Sequence, residues 1–187
     1  MQKKNTIPEA RLIIGRKPLL EAFGEGKTID KIFLLTNATG PETTEIKMHA
    51  KEKNVPISYV PQEKLARFTK ANHQGVVALT SLIEYDDLQS IIDLAVDKGE
   101  TPIIMVLDGI TDTRNLGAIA RSAYCFGAHA LVLPIANNAA ITEEAVKTSA
   151  GALEKLPVCK VPSVQQAFDV LRMNGIAIAA TAVTKAD

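Results

Sequence analysis

The chain has 187 residues, 47% apolar and 22% charged, with 21 Lys/Arg balanced by 21 Asp/Glu. This composition is that of a chain with a buried core and excludes an intrinsically disordered one. No apolar run approaches the ~20 residues that a membrane-spanning helix needs.

The neutral sum conceals an asymmetry. Residues 1–85 hold 13 Lys/Arg against 9 Asp/Glu, whereas residues 86–187 hold 8 against 12. An excess of this size suits a solvated surface or an anionic partner such as RNA. The basic N-terminus lacks the apolar stretch of a secretory signal. Cys125 and Cys159 stand without metal-ligand spacing, so both are expected as buried, reduced thiols of a cytoplasmic protein.

In chain order, GRKPLLEAFGEG opens a helix with Pro18 in its first turn and closes it with Gly24 and Gly26. A strand follows over 31–36, a helix over 41–53, a strand over 56–60, one or two helical turns over 62–68, and a strand over 75–82. These short elements define an α/β domain over 1–85. Residues 86–101 form a linker helix, acidic at its start as a helix N-terminus prefers. From 102 to 187 strands and helices alternate: strand 103–108, helix 116–126, strand 130–134, helix 142–154, strand 158–161, helix 164–174, strand 176–183. Ser163 and Gln166 are spaced as a capping box, and Gly175 sits where a helix-ending glycine belongs. Apolar strands alternating with helices imply a parallel sheet covered on both faces. The chain stops just after its last expected strand, which reads as a truncation.

Most motif-like stretches carry no chemistry. GEGKT (24–28) lacks the first glycine and the preceding strand of a phosphate loop, and no GxGxxG follows a strand. His49, His73 and His129 are scattered without an acid–nucleophile pattern, and no metal site is expected. DTRNLGAIARSAYCFG (112–127) differs, because it opens a helix after the apolar strand IIMVLDGI with Arg114, Asn115 and Arg121 in or near the turn. If Asn115 caps the helix, Leu116, Ile119, Ala120, Ala123 and Phe126 form its apolar stripe. Arg121 then lies off that stripe, one turn beyond Gly117. The turn leaves the carboxyl end of a parallel strand, where open α/β sheets place ligands, and a helix N-terminus favours anions. A surface arginine that merely snorkels accounts for Arg121 equally well.

The run LDGITDTRNLGAIARSAYCFGAHALVLP (107–134) resembles the first motif of the SpoU, or TrmH-like, RNA ribose methyltransferases. KTSAGALEKLPV (147–158), GRKPLLEA (15–22) and HQGVVA (73–78) extend the similarity, the last two to the substrate-binding domain of the ribosomal-RNA branch. The resemblance implies a SPOUT-class domain with a trefoil knot, S-adenosylmethionine as cofactor, RNA as substrate and a homodimeric full-length parent. It carries the essential motif-one arginine onto Arg121 and the site-shaping asparagine onto Asn115. Thr181 and Ala182 fall where the family approaches the cofactor. The family's second and third motifs do not occur in this chain, so the domain over 102–187 is expected to be incomplete, and the fragment inactive and poor at binding S-adenosylmethionine.

The implied reaction moves a methyl group from a sulfonium to a ribose 2′-hydroxyl, a poor nucleophile until it loses its proton. A guanidinium is a poor base, so Arg121 is expected to hold an RNA phosphate and stabilise the developing alkoxide. RNA contacts are also expected from Arg114 and, in the first domain, from Arg16, Lys17, His73 and Gln74, with Lys70 and Asn72 in the same loop. His73 could equally serve only to cap the strand after it. Ribosomal RNA is favoured over transfer RNA because of the first domain. The competing readings are a non-enzymatic RNA-binding module and a different nucleotide-binding α/β protein.

Overall fold

A computed structural model describes residues 11–135 and 137–181. The chain divides into two units, Met1–Glu84 and Tyr85–Asp187.

The first unit runs β1 (Leu12–Ile14), α1 (Arg16–Gly24), β2 (Ile29–Leu35), α2 (Pro41–Glu52), β3 (Ile57–Val60), α3 (Gln62–Leu65) and β4 (Val76–Thr80). Its sheet has the order β1-β4-β2-β3, with β3 parallel to β2 and the other pairs antiparallel. Side chains alternate across β2, so each face builds its own core. Ile32 and Leu34 pack with Leu19 and Phe23 of α1 and Ile46 and Ala50 of α2. Phe33 points the other way, to Val60, Leu65 and Val77. Each such fully buried side chain stabilises the unit by about 1.5–3 kcal/mol. β1 escapes a sequence reading because it has only three half-buried residues, and pairing with β4 is what makes it a strand.

The second unit runs α4 (Leu88–Asp97), β5 (Ile104–Val106), α5 (Thr113–Cys125), β6 (Ala130–Pro134), α6 (Glu143–Thr148), β7 (Val158–Val161) and α7 (Val164–Met173). Its sheet, β5-β6-β7, is parallel throughout. All five residues of the central strand β6 are buried. Ala130 and Val132 meet a cluster that includes Leu88 and Ile92 of α4 and Ala167 and Leu171 of α7. Leu131 and Leu133, on the opposite face, are buried as well. α4, read from the sequence as a linker, thus supplies part of this unit's core.

Two expectations about regular structure are corrected here. The helix over 142–154 is broken after Thr148: Ala150 and Gly151 take φ of 51° and 86°, and a 3₁₀ turn resumes at Ala152–Glu154. Ser149 holds that break, donating to Val146 O at 2.7 Å and accepting from Leu153 N at 3.2 Å. A strand over 176–183 does not form in its described part. Ala177–Thr181 are exposed and make no backbone hydrogen bond among the described residues. Two-residue alternation yields a strand only where a neighbour supplies the ladder. Residues 182 and 183 lie outside the described residues.

The cysteines also differ from each other. Cys159 is buried in β7, but Cys125 is exposed at the end of α5, and neither forms a disulfide. Burial, reinforced by the charges of Asp86 and Asp87, pushes the Cys159 thiol up to about 12. Because the folded value exceeds the ordinary one, this group favours folding at neutral pH, and that contribution is lost as pH rises toward about 12. Iodoacetamide at mildly alkaline pH should therefore alkylate Cys125 in the folded chain and Cys159 only after denaturation. Equal labelling of both thiols in the native protein contradicts the assignment.

Candidate functional site

At the carboxyl end of the second sheet, the segments leaving β5 and β6 are tied together. Leu107 N donates to Val132 O at 3.0 Å, and Ala139 N donates to Ile110 O at 2.7 Å. Asn138 clamps both segments: its Oδ1 accepts from Ile110 N at 3.0 Å, while Nδ2 donates to Leu107 O at 3.2 Å and Pro134 O at 3.0 Å. These bonds fix the loop that feeds α5. Sequence reasoning passed over Asn138, although an Asn-Asn pair after an apolar strand is a turn signal.

Asp112, not Asn115, caps α5. Its Oδ1 accepts from Arg114 N at 2.9 Å and from Asn115 N at 2.8 Å, so Asn115 falls in the first turn with its side chain exposed. A carboxylate satisfies the same free N–H groups and also complements the helix dipole. Asp112→Ala should lower the stability of the second unit by about 1 kcal/mol, read as a lower thermal midpoint. An unchanged midpoint would mean that the cap is energetically idle.

The buried stripe of α5 is Leu116, Gly117, Ala120 and Ala123. Ile119 is only half-buried, and Phe126, assigned to the stripe from its spacing, is 84% exposed just past the helix end. Gly117 permits a close crossing with α6. A Cβ there would lie 2.5 Å from Ala145 O, 2.9 Å from Thr148 Cβ and 3.1 Å from Ser149 N. Spacing alone misses this, because a glycine does not register as apolar.

Arg121 is exposed one turn further along and makes no hydrogen bond or ion pair among the described residues. Asn115 precedes it by six residues, about 9 Å along the helix axis. Arg114 is engaged differently: its Nε lies 2.6 Å from Glu144 Oε1, tying the first turns of α5 and α6. That hydrogen bond and the carboxylate's charge raise its pKa above the ordinary arginine value. Thr181 is exposed, with no bond to Asn115 or Arg121, and Ala182 lies outside the described residues.

In the first unit the structure brings Arg16 and Gln74 together. Gln74 Oε1 accepts from Arg16 N at 3.2 Å, and Arg16 Nε donates to Gln74 O at 2.9 Å. Arg16 also donates through Nη1 to Thr39 O at 3.1 Å and lies 4.0 Å from Glu42. Most of its fork is thus spent joining three loops. His73 Nδ1 accepts from Gly75 N at 3.1 Å, the strand-capping role weighed from sequence. Lys17 and Lys70 are exposed beside these loops and have no ion-pair partner among the described residues.

A basic α/β unit precedes a parallel α/β unit whose polar residues gather where its strands end. This is the organisation of a protein that acts on a ligand at its strand ends. Residues 12–86 match the family described as RNA 2′-O ribose methyltransferase substrate binding, and residues 102–187 match the SpoU rRNA Methylase family. YacO of Bacillus subtilis (strain 168), itself assigned by inference to the TrmH family of tRNA/rRNA methyltransferases, is 31% identical over 169 residues, covering 90% of this chain and 68% of YacO. A relative from Staphylococcus aureus (strain MSSA476) with the same assignment is 32% identical over 178 residues, 95% of this chain and 72% of the relative. The solved SpoU methyltransferase AviRb of Streptomyces viridochromogenes, in complex with AdoMet, aligns with a TM-score of 0.40 and 21% identity. That alignment covers 88% of this chain and 60% of AviRb. The chain therefore belongs to the SpoU, or TrmH-like, methyltransferase family.

Proposed function

We propose that this chain is part of an enzyme that methylates the 2′-hydroxyl of a ribose in RNA, using S-adenosylmethionine, that the RNA is ribosomal, and that the 187 residues by themselves, without the family's second and third motifs, do not turn over. Arg121 carries this reading. It is a guanidinium without a partner among the described residues, on the helix that follows the first strand of a parallel sheet, in the motif where family resemblance places the essential arginine. The cofactor supplies an electrophilic methyl group on a sulfonium. Thr181 and Ala182 are the residues that would hold it. The backbone of Ala177–Thr181, without hydrogen bonds among the described residues, fits that role, since its N–H and C=O groups require partners.

The remaining chemistry falls to this chain's own groups. Loss of the hydroxyl proton to water would build negative charge on the ribose oxygen, which would then bond to the methyl carbon as the methyl–sulfur bond breaks and a neutral thioether leaves. Arg121 offsets that charge and holds a neighbouring phosphate through its fork. Asn115 shapes the approach at the start of the same helix, and Asp112 with Asn138 keeps that helix and its loop in place. Arg114, bound to Glu144, contributes to RNA contact only when it exchanges that carboxylate for a phosphate. In the first unit, Lys17 and Lys70 contact RNA phosphates, while Arg16, His73 and Gln74 shape the loops that present them. The trefoil knot, homodimerisation and the cytoplasmic location belong to the same proposal. Among the described residues, no helix is long and apolar enough to cross a membrane.

The test separates ribose from base chemistry. Ribosomal RNA is incubated with methyl-labelled S-adenosylmethionine and a protein carrying this chain together with the family's second and third motifs, then hydrolysed in alkali, which cannot cleave next to a blocked 2′-oxygen. Label in alkali-stable dinucleotides supports the proposal; label confined to mononucleotides contradicts it.

A further inference from the structure

The face of the first sheet opposite α1 and α2 carries cations that form no ion pair among the described residues. Lys31 and Phe33 project two residues apart from β2 onto this face. The Phe33 ring lies 4.6 Å, centroid to centroid, from that of Phe68. Lys31 Nζ stands 5.5 Å and Lys64 Nζ 5.9 Å from the Phe33 centroid, so one ring collects two ammonium groups. Arg67 and Lys70 follow on the segment leaving α3, both exposed. Among the described residues, the ion pairs of this unit join other residues, Arg16–Glu42, Lys27–Glu25 and His49 with Glu45 and Glu52. Lys31, Lys64, Arg67 and Lys70 have none among the described residues, nor does Glu63 beside Lys64. Each ammonium is drawn to the aromatic face, but the ring neutralises no charge. Leu12, Leu35 and Phe68 add a half-buried apolar strip.

Unpaired cations beside an aromatic and apolar strip match one kind of partner: a flexible polyanion whose bases can lie on apolar surface while its phosphates meet the lysines. We propose that this face, centred on Lys31 and Lys64 above the buried Phe33 ring, is a second contact for the substrate, its ammonium groups meeting the phosphates of a single-stranded segment of the RNA. The assignment rests on the RNA reading above. It adds a surface distinct from the Arg16–Gln74 corner, so that the first unit grips RNA along the sheet as well as at the loops.

The test uses the whole chain and two fluorescein-labelled RNAs of equal length, one unstructured and one a hairpin, in anisotropy titrations across a salt series. The variants are Lys31→Gln/Lys64→Gln, the charge-retaining Lys31→Arg/Lys64→Arg, and Lys51→Gln on α2 as a control on the other side of the sheet. Thermal melts by circular dichroism verify that each variant folds. Losing two phosphate contacts to a single strand should make the slope of log K against log salt shallower by about 1.4. The double Gln variant is expected to show this on the unstructured RNA, while the Arg pair and Lys51→Gln keep the wild-type slope. A wild-type slope and affinity in the double Gln variant overturn this contact alone. An equal loss in Lys51→Gln, or a loss confined to the hairpin, overturns it too. Failure of the wild-type chain to bind either RNA at low salt overturns the RNA reading itself.

Discussion

Replacing Arg121 with alanine should lower methyl transfer to RNA by about 10²–10³-fold, the usual cost of removing one preorganised donor that faces developing negative charge. The fold should hardly notice. Arg121 is exposed and makes no hydrogen bond or ion pair among the described residues, and such surface substitutions fall within about ±0.5 kcal/mol. Arg121→Lys discriminates further: it keeps the positive charge but loses the planar fork that binds phosphate through two parallel bonds. If the fork matters, the lysine variant should stay well below wild-type turnover at matched ionic strength. Wild-type turnover in Arg121→Lys would reduce the role to simple charge, and wild-type turnover in Arg121→Ala would remove it from the site.

The second large effect concerns stability. Gly117→Ala should destabilise the second unit, although alanine is the better helix former by about 1 kcal/mol. Its added methyl would meet Ala145 O at 2.5 Å and Ser149 N at 3.1 Å, backbone atoms that cannot swing aside as a flexible side chain could. Overpacking of this kind costs about 1–3 kcal/mol, and a backbone contact puts the cost at the upper end. Subtracting the propensity gain leaves a net loss of about 2 kcal/mol, or roughly 10 °C in the midpoint of a unit this size. Gly117→Val should be worse, since a β-branched side chain adds both bulk and lost rotamers. A midpoint raised by Gly117→Ala would show that α5 and α6 can separate freely. Because Arg121 lies one turn beyond this crossing, both substitutions should also reduce catalysis by shifting the helix that carries it.

Some of this organisation was legible in the residues. Apolar runs such as Ala130–Pro134 show as strands because burial on both faces removes every polar alternative. The Ser163 cap of α7 was visible because capping is local: its hydroxyl accepts from Gln166 N at 3.2 Å. The errors arise where a tertiary partner decides. Asp112 and Asn115 are both good caps by residue type, and the loop pinned by Asn138 accompanies selection of the earlier one. Phe126 fits a helical stripe by spacing but stands past the last turn that faces a neighbour. Ala150 adopts a left-handed φ that its residue type disfavours, so periodicity carries the helix across a break it cannot sense. Ala177–Thr181 are apolar enough for a strand and follow a helix as the earlier strands do, yet no strand adjoins them among the described residues. Of the site itself, Arg121 was visible through its motif. The Asn138 clamp, the Arg114–Glu144 pair and the loop-joining role of Arg16 depend on contacts between distant residues and leave little local signature.

The most direct test of the central claim is a map of ribose methylation on ribosomal RNA from the source cells, with the gene intact, deleted, or restored carrying Arg121→Ala. The expected result is one or a few 2′-O-methyl sites that vanish on deletion, return with the wild-type gene and stay absent with Arg121→Ala. An identical ribose-methylation map in all strains, or a loss confined to base methylation, would contradict it.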